Sequence, residues 1–381
     1  MNRVSIKPEM FVWARERGGF THESLGKAFP MLPKWESGET LPTLNQLEQF
    51  VKAVHLPMGY LFLDQPPVEK MTIPEFRTAW NRTRIQPSPE LLDTIYVCQQ
   101  RQGWFHEYAR TQGLEPFSFV GSVNINQNIV DVAENIRRTI GFNIEKRRSI
   151  PTWTDALRLF IDQADTSGIL VMCSGVVLNN NRRHLNPEEF RGFSISDNLA
   201  PLIFINGADT KAAQMFTLAH ELAHIWLGQS AVSDAQARIT TDHIIENWCN
   251  KVAAELLVPM SVFREVYNPE INIEEEINRL ARYFKVSTLV ALRRIYDAGI
   301  LSQKVFWELY DLELERLRTI PRRSGGNFYL TQTARVSKRF AKALVTSTLE
   351  GNTLHRDAFR MLGFSKISTF HELGRVLGVI I

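Results

Sequence analysis

Residues 208–228, ADTKAAQMFTLAHELAHIWLG, decide how this chain of 381 residues is read. Asp209 or Thr210 offers a side-chain acceptor for the free N–H groups of a first helical turn. Gly228 can adopt the left-handed conformation that ends a helix. Good helix formers stand between them, so the stretch predicts one helix. Along it Gln214, Thr217, His220 and His224 form a polar stripe expected to face a cleft, while Phe216, Ala219, Ala223 and Trp226 suit a buried face. The segment His220-Glu221-Leu222-Ala223-His224 is an HExxH sequence, and on a helix its two imidazoles share a face and can aim at one ion. With 9 His and 28 Glu in the chain, random placement yields an HExxH about 1 to 2% of the time, so chance is a poor account of it. The bland alternative is two histidines in a core wall or on a solvated face.

A catalytic zinc needs a third protein ligand and an open position for water. The best candidate is Glu246, 22 residues after His224, in IIENWCNKVAAELLVP. If residues 241–257 are helical, Glu246, Asn250 and Leu257 fall near one face, whereas Trp248, Cys249, Val252, Ala253 and Leu256 mostly turn elsewhere. A carboxylate among core formers is costly unless paired or bound to metal. Asp234, Asp242, His243 and Glu255 compete for the role. Asp242 is equally suited to cap the helix, and Glu255 occupies another phase, where a salt bridge is ordinary. Zinc brings the pKa of a water toward neutrality, and Glu221, next to a ligand without being one, is placed to act as base and then acid. For an oxyanion donor His184, His243 and Tyr267 are options, and none is assigned. The run APLIFIN before the motif is either an edge strand for an extended peptide or an internal core strand.

Outward from this centre, GILVMCSGVV, FRGFSIS and APLIFIN read as strands, and the rest is mostly helical. The expected class is α+β: a mostly helical, multi-domain protein with a small sheet in a zincin-like domain. The divisions expected are 1–64, 65–165 as a helical connecting region, 166–300 for the metallopeptidase domain and 301–381 as a basic helical region. Three well-separated cysteines, Cys98, Cys173 and Cys249, make a disulfide scaffold and a cysteine-rich zinc module improbable and fit a reducing cytoplasm. Apolar runs fall far short of the roughly 18 to 20 residues of a membrane span, and the first residues lack the apolar stretch of a signal peptide.

The net charge of +3 hides an asymmetry. Residues 151–260 hold 7 Lys+Arg against 12 Asp+Glu, whereas residues 316–381 hold 12 against 3. The acidic block contains the proposed ion site, and the basic tail is suited to phosphates or an acidic partner, or is simply a solvated face.

FTLAHELAHIWL followed by ENWCNKVAAELLVP resembles the ImmA/IrrE family of zinc metallo-endopeptidases. The resemblance implies His220, His224 and Glu246 as zinc ligands and Glu221 as the catalytic carboxylate. It extends over about residues 165–300, including INRLARYFKVSTLVALRRIYDAGIL. The family commonly pairs such a protein with a repressor that it cleaves or a toxin that it restrains. IKPEMFVWARERGGFTHESLGKAF and LPKWESGETLPTLNQLEQFVKAV resemble an Xre/Cro-type helix-turn-helix, which implies DNA binding, with the basic C-terminal region a second candidate. The segment departs from that pattern: Thr21 to Glu36 is 15 residues, about four fewer than usual, and Pro30 and Pro33 fall where the recognition helix should run. A zinc-dependent endopeptidase that cleaves or controls a protein partner is therefore one expected function. A DNA-binding regulator or antitoxin with an idle zinc site is the other.

Overall fold

The computed structural model describes residues 3–67, 87–233, 244–318 and 333–380. Those residues divide into two compact units, one of the described residues up to 93, the other of those from 94 onward.

The smaller unit holds α1 (Pro8–Arg17), α2 (His22–Gly26), α3 (Leu32–Glu36) and α4 (Leu44–Ala53), then a 3-10 turn at Met58–Phe62. Thr21 with Ser24 and Thr43 with Gln46 form reciprocal capping boxes that start α2 and α4. Phe11, Trp35 and Phe50 fill the centre, with ring centroids 5.6 to 6.2 Å apart. Pro33 lies in the first turn of α3, and the helix is only five residues long.

The larger unit holds residues 94–111 of α5 (Pro89–Thr111), followed by α6 (Ile129–Ile140), α7 (Ile144–Arg148) and α8 (Trp153–Thr166). Strands β1 (Leu170–Ser174), β2 (Gly192–Ile195) and β3 (Leu202–Asn206) precede α9 (Lys211–Leu227), and β4 (Ala231–Ser233) follows it. The remaining named helices are α10 (Ile244–Leu257), α11 (Met260–Val266), α12 (Ile273–Phe284), α13 (Thr288–Asp297), α14 (Gln303–Arg318), α15 (Lys338–Leu349), α16 (His355–Leu362) and α17 (Ile367–Val376). The protein is thus α+β and mostly helical, as its periodicities imply.

The sheet has order β1-β3-β2-β4, with β1 and β3 parallel and the other pairs antiparallel. This corrects one option for APLIFIN: β3 is hydrogen-bonded on both sides and buried along its whole length, so it offers no edge to a peptide. Its apolar alternation is absent because both faces are covered. The sheet edges are β1 and β4.

Helix α9 packs on β2 and β3 on one side and α10 on another. Met215, Leu218, Ala219, Leu222, Ala223, Ile225 and Trp226 are fully buried along it, and the alanines let neighbouring backbones approach. Trp226 stacks on Phe119 at 4.6 Å, and its indole N–H donates to Asn135 Oδ1 at 2.9 Å. The backbone N–H groups of Gly121 and Val123 donate to the carbonyls of Ile225 and Trp226, satisfying acceptors that a helix end leaves open. Arginines serve α10 in the same way: Arg137 donates to Glu255 O at 2.8 Å and Arg294 to Val258 O at 2.7 Å. No helix among the described residues is long and apolar enough to cross a membrane. The three cysteines are free, with Cys98 and Cys249 buried and Cys173 partly so.

Candidate metal centre

Thr210 is the residue that caps α9, its hydroxyl accepting from Ala213 N, and Gly228 ends the helix in the left-handed region at φ 70°. The helix therefore keeps its phase through residues 220–224. Glu246 stands in the first turn of α10, the helix packed against α9. That packing brings candidate ligand atoms of His220, His224 and Glu246 within 4.8 Å of one another. His220 Nε2 lies 3.2 Å from Glu246 Oε2, His224 Nε2 lies 3.0 Å from Glu246 Oε1, and the two Nε2 atoms are 3.1 Å apart.

These spacings suit an ion. Tetrahedral bonds of about 2.0 to 2.1 Å place neighbouring donors roughly 3.3 Å apart. The protonation pattern agrees. Asn250 Oδ1 lies 2.9 Å from His220 Nδ1, an acceptor placed for a proton on Nδ1, the tautomer that leaves the lone pair of neutral imidazole on Nε2. Two imidazole nitrogens and a carboxylate facing one point are the donor set that a borderline-soft divalent cation takes.

Without an ion the three groups act on one another. Burial disfavours the charged form of His220, yet the adjacent Glu246 and the nearby Glu221 hold its pKa up at about 8. Burial alone would push Glu246 up, but the two imidazoles hold it well below the usual carboxylate range. The Cys249 thiol is pushed well above its ordinary value, by burial first and then by Glu246 and Glu221. It is a neutral core group, not a thiolate ligand.

Glu221 is fully buried beside this set. A methyl added at Gly192 of β2 would come 3.4 Å from Glu221 Oε1, 2.5 Å from Thr217 Cγ2 and 2.8 Å from the Phe204 carbonyl oxygen. The missing side chain at 192 is what lets α9 lie on the sheet with its carboxylate against β2. Gly192→Ala is expected to destabilise the protein by about 1 to 3 kcal/mol through overpacking against backbone, as read from a shifted denaturation midpoint.

The polar stripe divides into two parts. His220 and His224 belong to the centre, whereas the Gln214 amide donates to Gly207 O at 3.1 Å and Asp209 O at 2.6 Å, holding the turn before the helix. All four stripe residues are buried, rather than lying on an exposed face of the helix. Of the competitors, Glu255 pairs with Arg294 and accepts from Met260 N, a structural role. Asp234, Asp242 and His243 lie outside the described residues. His184 is exposed in a bridge to Val176, and Tyr267 stacks on Phe263 at 5.6 Å. Asn250, to which the sequence assigns no role, contacts His220 from one turn after Glu246, a spacing that is the signal available for it. Asn250→Ala is expected to weaken metal binding about 10- to 100-fold, measured by competition with a chromophoric chelator, with Asn250→Asp retaining most of it.

Residues 164–296 match a peptidase family described as the IrrE N-terminal-like domain. That domain contains β1 to β4, α9 and α10, and so the entire centre. Over 99 residues the chain is 35% identical to the radiation response metalloprotease IrrE of Deinococcus radiodurans, a match covering 24% of this chain and 30% of the relative. The aligned part thus spans less than a third of that metalloprotease. Residues 336–375, beyond the IrrE N-terminal-like domain, match a domain of unknown function. No solved structure matches the chain.

Proposed function

We propose that this protein is a zinc-dependent endopeptidase in which His220, His224 and Glu246 hold the ion and Glu221 is the general base. The observation that carries the reading is the convergence of two imidazole nitrogens and one carboxylate within 3.0 to 3.2 Å on a helix pair, with a second carboxylate adjacent. A bound zinc would supply Lewis acidity, lowering the pKa of a water and polarising a scissile carbonyl. The chain's own part is to hold, orient and move protons. Asn250 fixes the ring and tautomer of His220. Glu221 Oε accepts the proton of the attacking water and delivers it to the leaving amine as the C–N bond breaks. Burial of the set keeps competing solvent and its screening low.

The substrate class is a protein partner, a transcriptional repressor or a toxin, as the family resemblance implies, acting in the cytoplasm. The test is capture with Glu221→Gln as a trap, then incubation of the captured protein with wild type and sequencing of new termini. Cleavage by wild type alone supports the reading. Purified protein that binds no zinc at neutral pH would overturn it.

A further inference from the structure

The C-terminal helices are short, basic and unused by the metal centre. Helix α16 has eight residues and α17 has ten, joined by Gly363, Phe364, Ser365 and Lys366, with Gly363 left-handed at φ 77°. Phe359 and His355 of α16 meet Phe370 of α17 at 5.7 and 5.5 Å, and both helices pack on α15 through a core that includes Phe340, Leu344, Leu362 and Leu373. Two helices joined by a four-residue glycine turn and braced by a third have the build of a helix-turn-helix.

We propose that the outward face of α16, the turn and α17 binds duplex DNA. Exposed Ile367, Ser368, His371 and Arg375 recur along one face of α17, the second helix, and exposed Ser365 and Lys366 lead into its N-terminus. This is the helix that such a fold lays in the major groove. Its side chains supply a hydroxyl, an imidazole and a guanidinium for base edges, and Ile367, 50% exposed, offers apolar contact to a thymine methyl. Phosphate contacts fall to α16 and the turn. Arg356 and Arg360 lie 3.7 and 3.8 Å from one shared carboxylate, Asp357, which leaves one cation uncompensated. Arg375 pairs with Glu372 at 2.9 Å, while Lys342 and Lys366 are exposed without an ion pair among the described residues. Residues 355–381, which form this face, hold four Lys+Arg against two Asp+Glu, so its net charge is positive and complementary to a polyanion.

Two other helix pairs lack an open reading face. In α12 to α13 the second helix buries Val290, Ala291, Leu292, Arg294 and Ile295 and packs under α14. In the N-terminal unit α3 is a single turn whose Lys34 pairs with Glu39, and Arg15 is spent on Glu36.

The experiment is fluorescence anisotropy of the full-length protein with a labelled random-sequence duplex, compared with single-stranded RNA of equal length. Three phosphate contacts, from Arg356, Arg360 and Lys366, imply that affinity falls roughly 40-fold between 50 and 200 mM salt. Arg356→Glu, Arg360→Glu, Lys366→Glu and Arg375→Glu together should weaken duplex binding at least about tenfold and flatten the salt slope. An equal charge reversal at the exposed Lys27, Lys52, Arg282 and Lys304 should cost far less. Circular dichroism confirms that both variants fold. Equal losses in the two variants, no duplex binding at 50 mM salt, or preference for RNA overturns the proposal.

Discussion

Alanine in place of His224 is expected to yield a folded protein that no longer retains zinc. Metal content should fall from about one ion per chain to less than about one tenth after dialysis against a mild chelator. His224 is fully buried, and its Nε2 faces both His220 Nε2 and Glu246 Oε1. Removing it leaves one nitrogen and one carboxylate, two donors where a protein site needs three. No described cysteine can substitute, since burial holds the Cys249 thiol protonated. The variant should also lose the stabilisation that zinc gives wild type, because an ion that binds only the folded state raises the unfolding midpoint in proportion to its affinity. Added zinc should therefore raise the melting temperature of wild type and leave His224→Ala unmoved. Full zinc retention in the variant would mean that these side chains are not the ligands.

The parts of this centre readable from sequence are those carried by one helix at a time. Thr210 and Gly228 mark both ends of α9, so the shared face of His220 and His224 follows from spacing alone. Glu246 and Asn250, four apart, share a face of α10 for the same reason. What spacing does not provide is which face of α10 meets which face of α9. That depends on the alanines of both helices and on arginines from α6 and α13 that fix the C-terminal end of α10. The role of Asn250 therefore needed the tertiary structure.

The sheet shows the opposite limit. LIFIN is apolar at four of five positions, a pattern equally natural for an internal strand or an edge packed on a core, and only pairing on both sides decides. β4, with three residues, is too short to carry a periodicity. Gly192 lies in FRGFSIS, which reads as a strand, and what the sequence does not show is why the position is bare: Thr217 and the Phe204 carbonyl occupy its side-chain space. At the two ends of the chain, charge was the more informative signal. In the near-neutral N-terminal segment Lys7, Arg15 and Lys34 pair with Asp64, Glu36 and Glu39, whereas the C-terminal face holds four cations against two carboxylates.

Glutamine in place of Glu221 should do the reverse of His224→Ala, keeping the metal and losing the reaction. The substitution preserves volume in a site where the side chain is fully buried against Gly192 and Thr217, so packing should be little disturbed. None of the three converging donors is altered, and Asn250 still holds His220. What disappears is a group that can accept a proton from water and return it to an amine nitrogen, because a carboxamide does neither at neutral pH. General acid–base assistance contributes about 10²- to 10⁴-fold, so kcat on the trapped partner should fall by at least about 100-fold while zinc content and melting temperature stay near wild type. Glu221→Asp separates chemistry from position: it restores the carboxylate one methylene short and should recover part of the rate. A partner processed equally by wild type and Glu221→Gln would remove Glu221 from the reaction. A partner bound with equal affinity by both and cut by neither would leave a binding protein with an idle metal site.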